Sequence, residues 1–198
     1  MIKKYIGFLL LLILSLCSIH CKRKDPSSSN EAAFKLYNLA NAGWKSKTLS
    51  HHLSAISYKA TQVPLQYYIL KNGNTEDPQK IDSIYKSLAN ERIIEFEFQH
   101  DSKDDLLKSD YTKRGYTESV KYMAFGIDKD FEIVTESGDT IVCSGVTFER
   151  NFKVAPFKRL LLHFGNVPEN ENVKLVYEDK LFGNGLLKYN FKETPIKL

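Results

Sequence analysis

Only one cysteine, Cys143, stands beyond residue 21; the other two, Cys17 and Cys21, lie near the start of the 198-residue chain. No C-x-x-C pair exists, which excludes structural zinc of the usual kind. The G-x-G-x-x-G, P-loop, H-E-x-x-H and G-x-S-x-G patterns are missing too. No cofactor is therefore expected. Charge of one sign is also scarce. Lys+Arg number 28 against 24 Asp+Glu, and removing Lys3, Lys4, Lys22, Arg23 and Lys24 leaves 23 against 24. The basic excess is thus confined to the N-terminus. A nucleic-acid protein carries its excess as a patch on the folded body, so no nucleic-acid partner is expected. What is present is ordinary. With 42% apolar and 26% charged residues, disordered, collagen-like and multi-pass membrane chains are excluded.

The N-terminus carries the clearest pattern. Lys3 and Lys4 precede an apolar stretch from Tyr5 to Ile19, and Lys22-Arg-Lys-Asp-Pro follows Cys21. Those 15 apolar residues fall short of the roughly 17 to 20 that a spanning helix needs. The three-part arrangement is that of a signal peptide, residues 1–20. A cysteine directly after such a segment resembles a bacterial lipoprotein attachment site, in the looser form of Bacteroidota and spirochaete lipoproteins. The resemblance covers about the first 30 residues. It implies that Cys21, or alternatively Cys17, becomes the acylated first residue of an exported, envelope-anchored protein, with the outer membrane as the expected site. His20 departs from the small residue that usually precedes the cysteine, and plain secretion is the alternative. Each buried methylene contributes about 0.8 kcal/mol, so two or more acyl chains hold firmly. Residues 22–30, rich in serine, read as a leash of roughly 30 Å when extended. If Cys21 carries lipid, Cys143 is a lone thiol; a Cys21–Cys143 disulfide requires that it does not.

Residues 31–198 read as a single domain, with 31–61 helical and 62–198 mostly β. Ala33, Leu36, Tyr37 and Ala40 share a helical face that Gly43 ends. Leu49, Leu53, Ile56 and Ala60 follow at spacings of a second helix. Alternation over Val63–Ile69 predicts a strand, and Asp77-Pro78 predicts a capped helix with Ile81, Ile84, Tyr85 and Leu88 inward. Ile94–Phe98 alternates as a half-buried strand, and 101–118 reads as a loop. Strands are then expected at 119–127, 131–135, 140–148, 157–164, 173–178 and 186–191, separated by Gly, Asn and Pro signals. The expected class is α+β, mostly antiparallel, sandwich- or barrel-like, with N-terminal helices. Phe148–Phe157 loosely resembles stretches of uncharacterised bacterial lipoproteins and implies no activity.

Few residues suggest chemistry. His100-Asp101-Ser-Lys-Asp104-Asp105 gathers a histidine and three carboxylates, and Asp104-Asp105 has the oxygens a hard cation takes. The segment lacks the glycine and closing glutamate of an EF-hand, so a solvated loop is the plainer reading. Asp128-Lys-Asp130-Phe-Glu132 invites the same thought and reads more simply as a hairpin turn. His51-His52 are adjacent and unsuited to one metal on a helix. Cys143 reads as a small buried side chain, and nothing in spacing places it beside His163. One of Glu149 and Arg150 should face solvent while the other pairs internally. Trp44 reads as core. No catalytic or metal residues are assigned. The leading expectation is a non-catalytic envelope module that binds a protein partner. A carrier with an apolar cavity for a lipid or sugar is the alternative. An enzyme using His100 with Asp104 or Asp105, or Cys143 with His163, is the third class.

Overall fold

The computed structural model describes residues 47–72, 77–151, 155–168 and 171–192. The expectations for the signal peptide, Cys17, Cys21, the leash, the first N-terminal helix and Trp44 lie outside these residues. Within them the protein is α+β and mostly antiparallel, with nine strands and four helices. The strands are β1 (Thr48–Leu53), β2 (Ile56–Val63), β3 (Glu91–His100), β4 (Phe131–Thr135), β5 (Thr140–Val142), β6 (Gly145–Glu149), β7 (Phe157–Gly165), β8 (Val173–Asp179) and β9 (Gly185–Phe191). The helices are α1 (Leu65–Asn72), α2 (Pro78–Ser87), the single turn α3 (Ser109–Thr112) and α4 (Tyr116–Phe125), with a 3-10 turn at Ile127–Asp130. A five-stranded sheet runs β1-β2-β3-β7-β6 and a four-stranded sheet runs β5-β4-β8-β9. Among the described residues no helix is long and apolar enough to cross a membrane.

Alternation builds the core. Tyr58 and Ala60 of β2, Ile94, Phe96 and Phe98 of β3, and Leu160, Leu162 and Phe164 of β7 point inward. They meet Phe131 and Ile133 of β4, Leu175 and Tyr177 of β8, and Leu187, Tyr189 and Phe191 of β9. Rings fill the space between the sheets. Phe131 stacks on Tyr177 at 4.4 Å, and Phe96 meets both Phe98 and Phe131 at 5.0 Å. Aromatic pairs of this kind add directional attraction to simple burial.

One buried carboxylate locks the two sheets together. Asp179, 3% exposed at the end of β8, accepts from the hydroxyls of Tyr58 (2.7 Å) and Tyr177 (2.9 Å). It also accepts from the backbone N–H groups of Leu181, Phe182 and Asn184. The Asn184 amide in turn donates to the Tyr58 oxygen at 2.6 Å. Burial first, and Asp179 second, push the Tyr58 hydroxyl far above the ordinary phenol range. At the far end Arg92, 1% exposed, donates to the carbonyls of Pro168 and Glu171 and fixes the β7–β8 connection.

Four expectations are corrected. The stretch 48–61 is not helical but forms the β1–β2 hairpin, in register from Thr48↔Thr61 to Leu53↔Ile56. Its turn is Ser54-Ala55, both left-handed (φ 51° and 64°), the geometry of a tight hairpin turn built without glycine. Residues 65–72 are helix rather than strand. β2 ends its pairing at Val63↔Ile93, Pro64 removes a ladder donor, and its carbonyl accepts from Tyr68 N–H to start α1. Residues 116–125 are also helix. Ser119 and Met123, four apart, are both fully buried while Lys121 between them is exposed, whereas a strand would put all three on one face. The 140–148 strand is two strands, because the chain changes sheets at Cys143-Ser144. Cys143 N–H still bonds Phe131 of β4, whereas Ser144 N–H already bonds His163 of β7. The Asp77 cap of α2 is as expected, accepting from Gln79 N–H at 3.0 Å.

Candidate functional site

The loop after β3 holds the carboxylates that the sequence singles out. It is anchored rather than free, because Leu106 and Leu107 plug into the core at 0% and 1% exposure. That anchoring separates the two aspartates. Asp105, just before the plug, is drawn in to 8% side-chain exposure, while Asp104 stays at the rim at 49%. Lys158 of β7 shares the inward register of Leu160 and Leu162, so its ammonium lies at the end of the core. Asp105 meets it there at 3.0 Å and also accepts from Leu107 N–H. Tyr116, at the start of α4, has its hydroxyl raised by burial and then by the neighbouring Asp105. Above this pair lies an open depression of about 540 Å³ lined by Lys103, Asp104, Asp105, Lys108, Ala155, Pro156 and Lys158.

His100, Ser102 and Asp104 are brought together at the rim. His100 Nδ1 lies 2.7 Å from Ser102 Oγ, and Ser102 Oγ donates to Asp104 Oδ2 at 2.9 Å. Ser102 N–H also donates to His100 Nδ1, and Tyr111 OH donates to Asp104 Oδ2. The Tyr111 ring packs on the imidazole at 4.7 Å. In a serine nucleophile the carboxylate orients the imidazole, which then takes the serine proton. Here imidazole and carboxylate both converge on the hydroxyl, which is the geometry of a loop brace. The Ser102 and Tyr111 hydrogen bonds hold the Asp104 carboxyl below its usual range, with Lys108 adding to them, so it is a poor base. No group of three or more His, Cys, Asp or Glu side chains among the described residues is arranged to hold a metal ion.

The Cys143 thiol meets the backbone of His163 but not its imidazole. Cys143 packs into the inter-sheet core, whereas His163 stands on the opposite face of β7, against the Tyr68 ring of α1. Burial pushes the thiol up and the imidazole down, so at neutral pH both are held neutral. His51 and His52 lie on a strand, on opposite faces. His51 Nε2 donates to the Lys188 carbonyl of β9, and His52 lies 3.4 Å from Asp101. Asp128–Asp130 is a 3-10 turn rather than a hairpin turn. Asp130 there accepts from the Tyr122 hydroxyl and pairs with Lys180 at 3.3 Å.

A second charged cluster was not legible in the sequence. On the outer face of the five-stranded sheet, Arg159 lies 2.5 Å from Glu97, 3.2 Å from Glu149 and 3.3 Å from Glu95. Glu149 also pairs with Lys71 of α1 at 3.5 Å, and of the Glu149–Arg150 dipeptide it is Arg150 that is exposed. Burial raises the Glu95 carboxyl despite the Arg159 charge beside it. The strand registers Glu97↔Arg159 and Glu149↔Arg159 bring Glu97, Arg159 and Glu149 into one row across three strands, with Glu95 two residues along the same face of β3. Each position reads singly as a solvent-facing charge, so only pairing reveals the cluster.

No protein-family model and no curated protein matches this chain. A solved structure is similar: the crystal structure of a novel protein of unknown function from Burkholderia pseudomallei K96243. The two are 8% identical over 81% of this chain and 85% of that chain, with a TM-score of 0.38. At that level of likeness neither fold nor function carries over.

Proposed function

We propose that this protein is a module of the bacterial cell envelope, lipid-anchored through Cys21 to the outer membrane, that binds a protein partner and performs no chemistry of its own. The observation that supports the partner reading is the depression beside the 101–108 loop. Its floor is an ion pair already satisfied within the chain, and its rim presents Lys103, Asp104 and Lys108 to solvent with Tyr111 and Tyr116 close by. An open, charged and aromatic surface of this kind suits a polar segment of another protein, because charges there steer and register a partner. A carrier hides its ligand in an apolar cavity. The space between these sheets is taken by the rings of Phe96, Phe98, Phe131 and Tyr177, which disfavours that alternative.

The reading is tested by crosslinking the full-length protein in its native cells and quantifying captured proteins by mass spectrometry. Lys103→Glu/Lys108→Glu and Cys21→Ala versions run in parallel. An envelope protein captured in near-stoichiometric amount by the wild type, lost on charge reversal and depleted with Cys21→Ala, is the expected result. Equal capture by all three, or capture by none, would overturn it.

A further inference from the structure

The outer face of the four-stranded sheet is open, and it shares no lining residue with the depression at the 101–108 rim. One row across it reads Val142, Glu132, Val176 and Lys188, and the next places Glu178 beside Leu186. Val142 is 71% and Leu186 57% exposed. With Val176 they line a depression of about 380 Å³. Aliphatic side chains this exposed on one sheet face mark a contact surface.

The border of this depression is acidic. Asp128, Asp130, Glu132 and Glu178 line it against a single lysine, Lys129. Lys180 neutralises two of the four, lying 3.3 Å from Asp130 and 2.7 Å from Glu178. Asp128 and Glu132 are left without an ion pair among the described residues. Asp128 Oδ1 is closed off by the chain and accepts no hydrogen bond, so nothing within the fold compensates this carboxylate. Asp128 is only half-buried and lines the depression, so a cation reaches it from there.

These features select the occupant. An aliphatic floor beside uncompensated carboxylates fits a cation carried on an apolar body, and it repels anionic lipid headgroups. Size narrows the choice. Four strands about 4.8 Å apart span roughly 14 Å, so the face offers roughly 200 Å². A stable interface buries about 800 Å² on each partner, which makes this face too small to hold a second copy. It suits about four residues of an extended segment, at roughly 3.3 Å each. Lys174 and Lys188 stand on the same face outside the depression, exclude a second base at that end, and so fix which way the segment lies.

We propose that the outer face of the four-stranded sheet binds a short basic segment of a partner protein. Its aliphatic side chains lie on Val142, Val176 and Leu186, and its lysine or arginine meets Asp128 and Glu132. Burial of the aliphatic floor supplies attraction, and the charge pairing sets register and excludes acidic segments. The site is independent of the docking proposed at the 101–108 rim and stands or falls by itself.

The purified full chain is titrated with a synthetic hexapeptide alternating leucine and lysine, and its methyl NMR signals are followed. Those of Val142, Val176 and Leu186 should shift saturably, while those of Val63 and Ile93, under the helices of the other sheet, should stay. A peptide alternating leucine and glutamate should move none. Asp128→Asn/Glu132→Gln should weaken the leucine–lysine peptide several-fold. So should Val142→Ser/Leu186→Ser, which changes only exposed side chains and keeps the fold. No response to either peptide, an equal response to both, or unchanged affinity in the serine variant overturns the proposal. Spermidine giving the same shifts at the same affinity would assign the site to a free polyamine. Signals at this face that depend on protein concentration without peptide would assign it to a second copy. Either of those results also overturns it.

Discussion

The two sheets meet their surroundings differently on their outer faces. The five-stranded sheet closes its own. Helices α1 and α2 bring Tyr68, Tyr85 and Leu88 over Val63 and Ile93, and the rest of the face is knitted by Arg159 among Glu95, Glu97 and Glu149. The four-stranded sheet leaves Val142 and Leu186 open. Topology explains the contrast. The first sheet has two helices spliced between its neighbours β2 and β3, and they must fall on it. In the second, β4–β5 and β8–β9 are joined by short turns at 136–139 and 180–184, too short to carry a cover. A face is closed where a connection is long enough to close it.

Substitutions in the interior, on the closed face and on the open face should differ in cost in that order. The interior sets the scale: Asp179→Ala leaves Tyr58, Tyr177 and three backbone N–H groups without their acceptor. It should cost about 3–5 kcal/mol in denaturant unfolding, or abolish folding. On the closed face, Arg159→Ala strands three half-buried carboxylates and should cost about 2–3 kcal/mol. A cost below about 0.5 kcal/mol would show that the network is merely decorative. Glu95→Gln should do the reverse. Burial holds this carboxyl above its unfolded value, so its contribution favours folding at acid pH and is lost as pH rises through the folded value. At pH 7 the charged form is therefore a burden, and the glutamine protein should be the more stable one there, the gain fading as pH falls below the unfolded value of the carboxyl. On the open face, Val142→Lys and Leu186→Lys should change the unfolding free energy of the body by less than about 0.5 kcal/mol. A larger loss would mean that these side chains pack within the body.

How much of this the residues announced depends on the element. Strands β3, β7, β8 and β9 were legible because alternation runs between Gly, Asn and Pro signals, and α2 because Asp77 precedes a proline. The β1–β2 hairpin was not. Leu49, Leu53, Ile56 and Ala60 mimic a helical stripe, and the Ser54-Ala55 turn carries neither the glycine nor the asparagine that marks such turns. The exchange of strand for helix within 65–69 and 119–125 arose from short apolar runs that fit either period, decided by strand pairing elsewhere. At the site, His100, Asp104 and Asp105 stood out as a local cluster. Lys158 did not, because it meets Asp105 only through the pairing of β3 with β7, more than 50 residues along the chain. Cooperation between distant strands leaves no mark at a single position, and the Arg159 network shows the same.

Docking of a partner at the rim of the 101–108 loop is tested by site-specific photocrosslinking in native cells. A photoreactive residue is placed at Lys103 and, in a separate strain, at Phe125, which is exposed but away from the rim. One dominant envelope-protein adduct is expected from position 103 and none from position 125. No adduct from 103, or the same adducts from both, would contradict it.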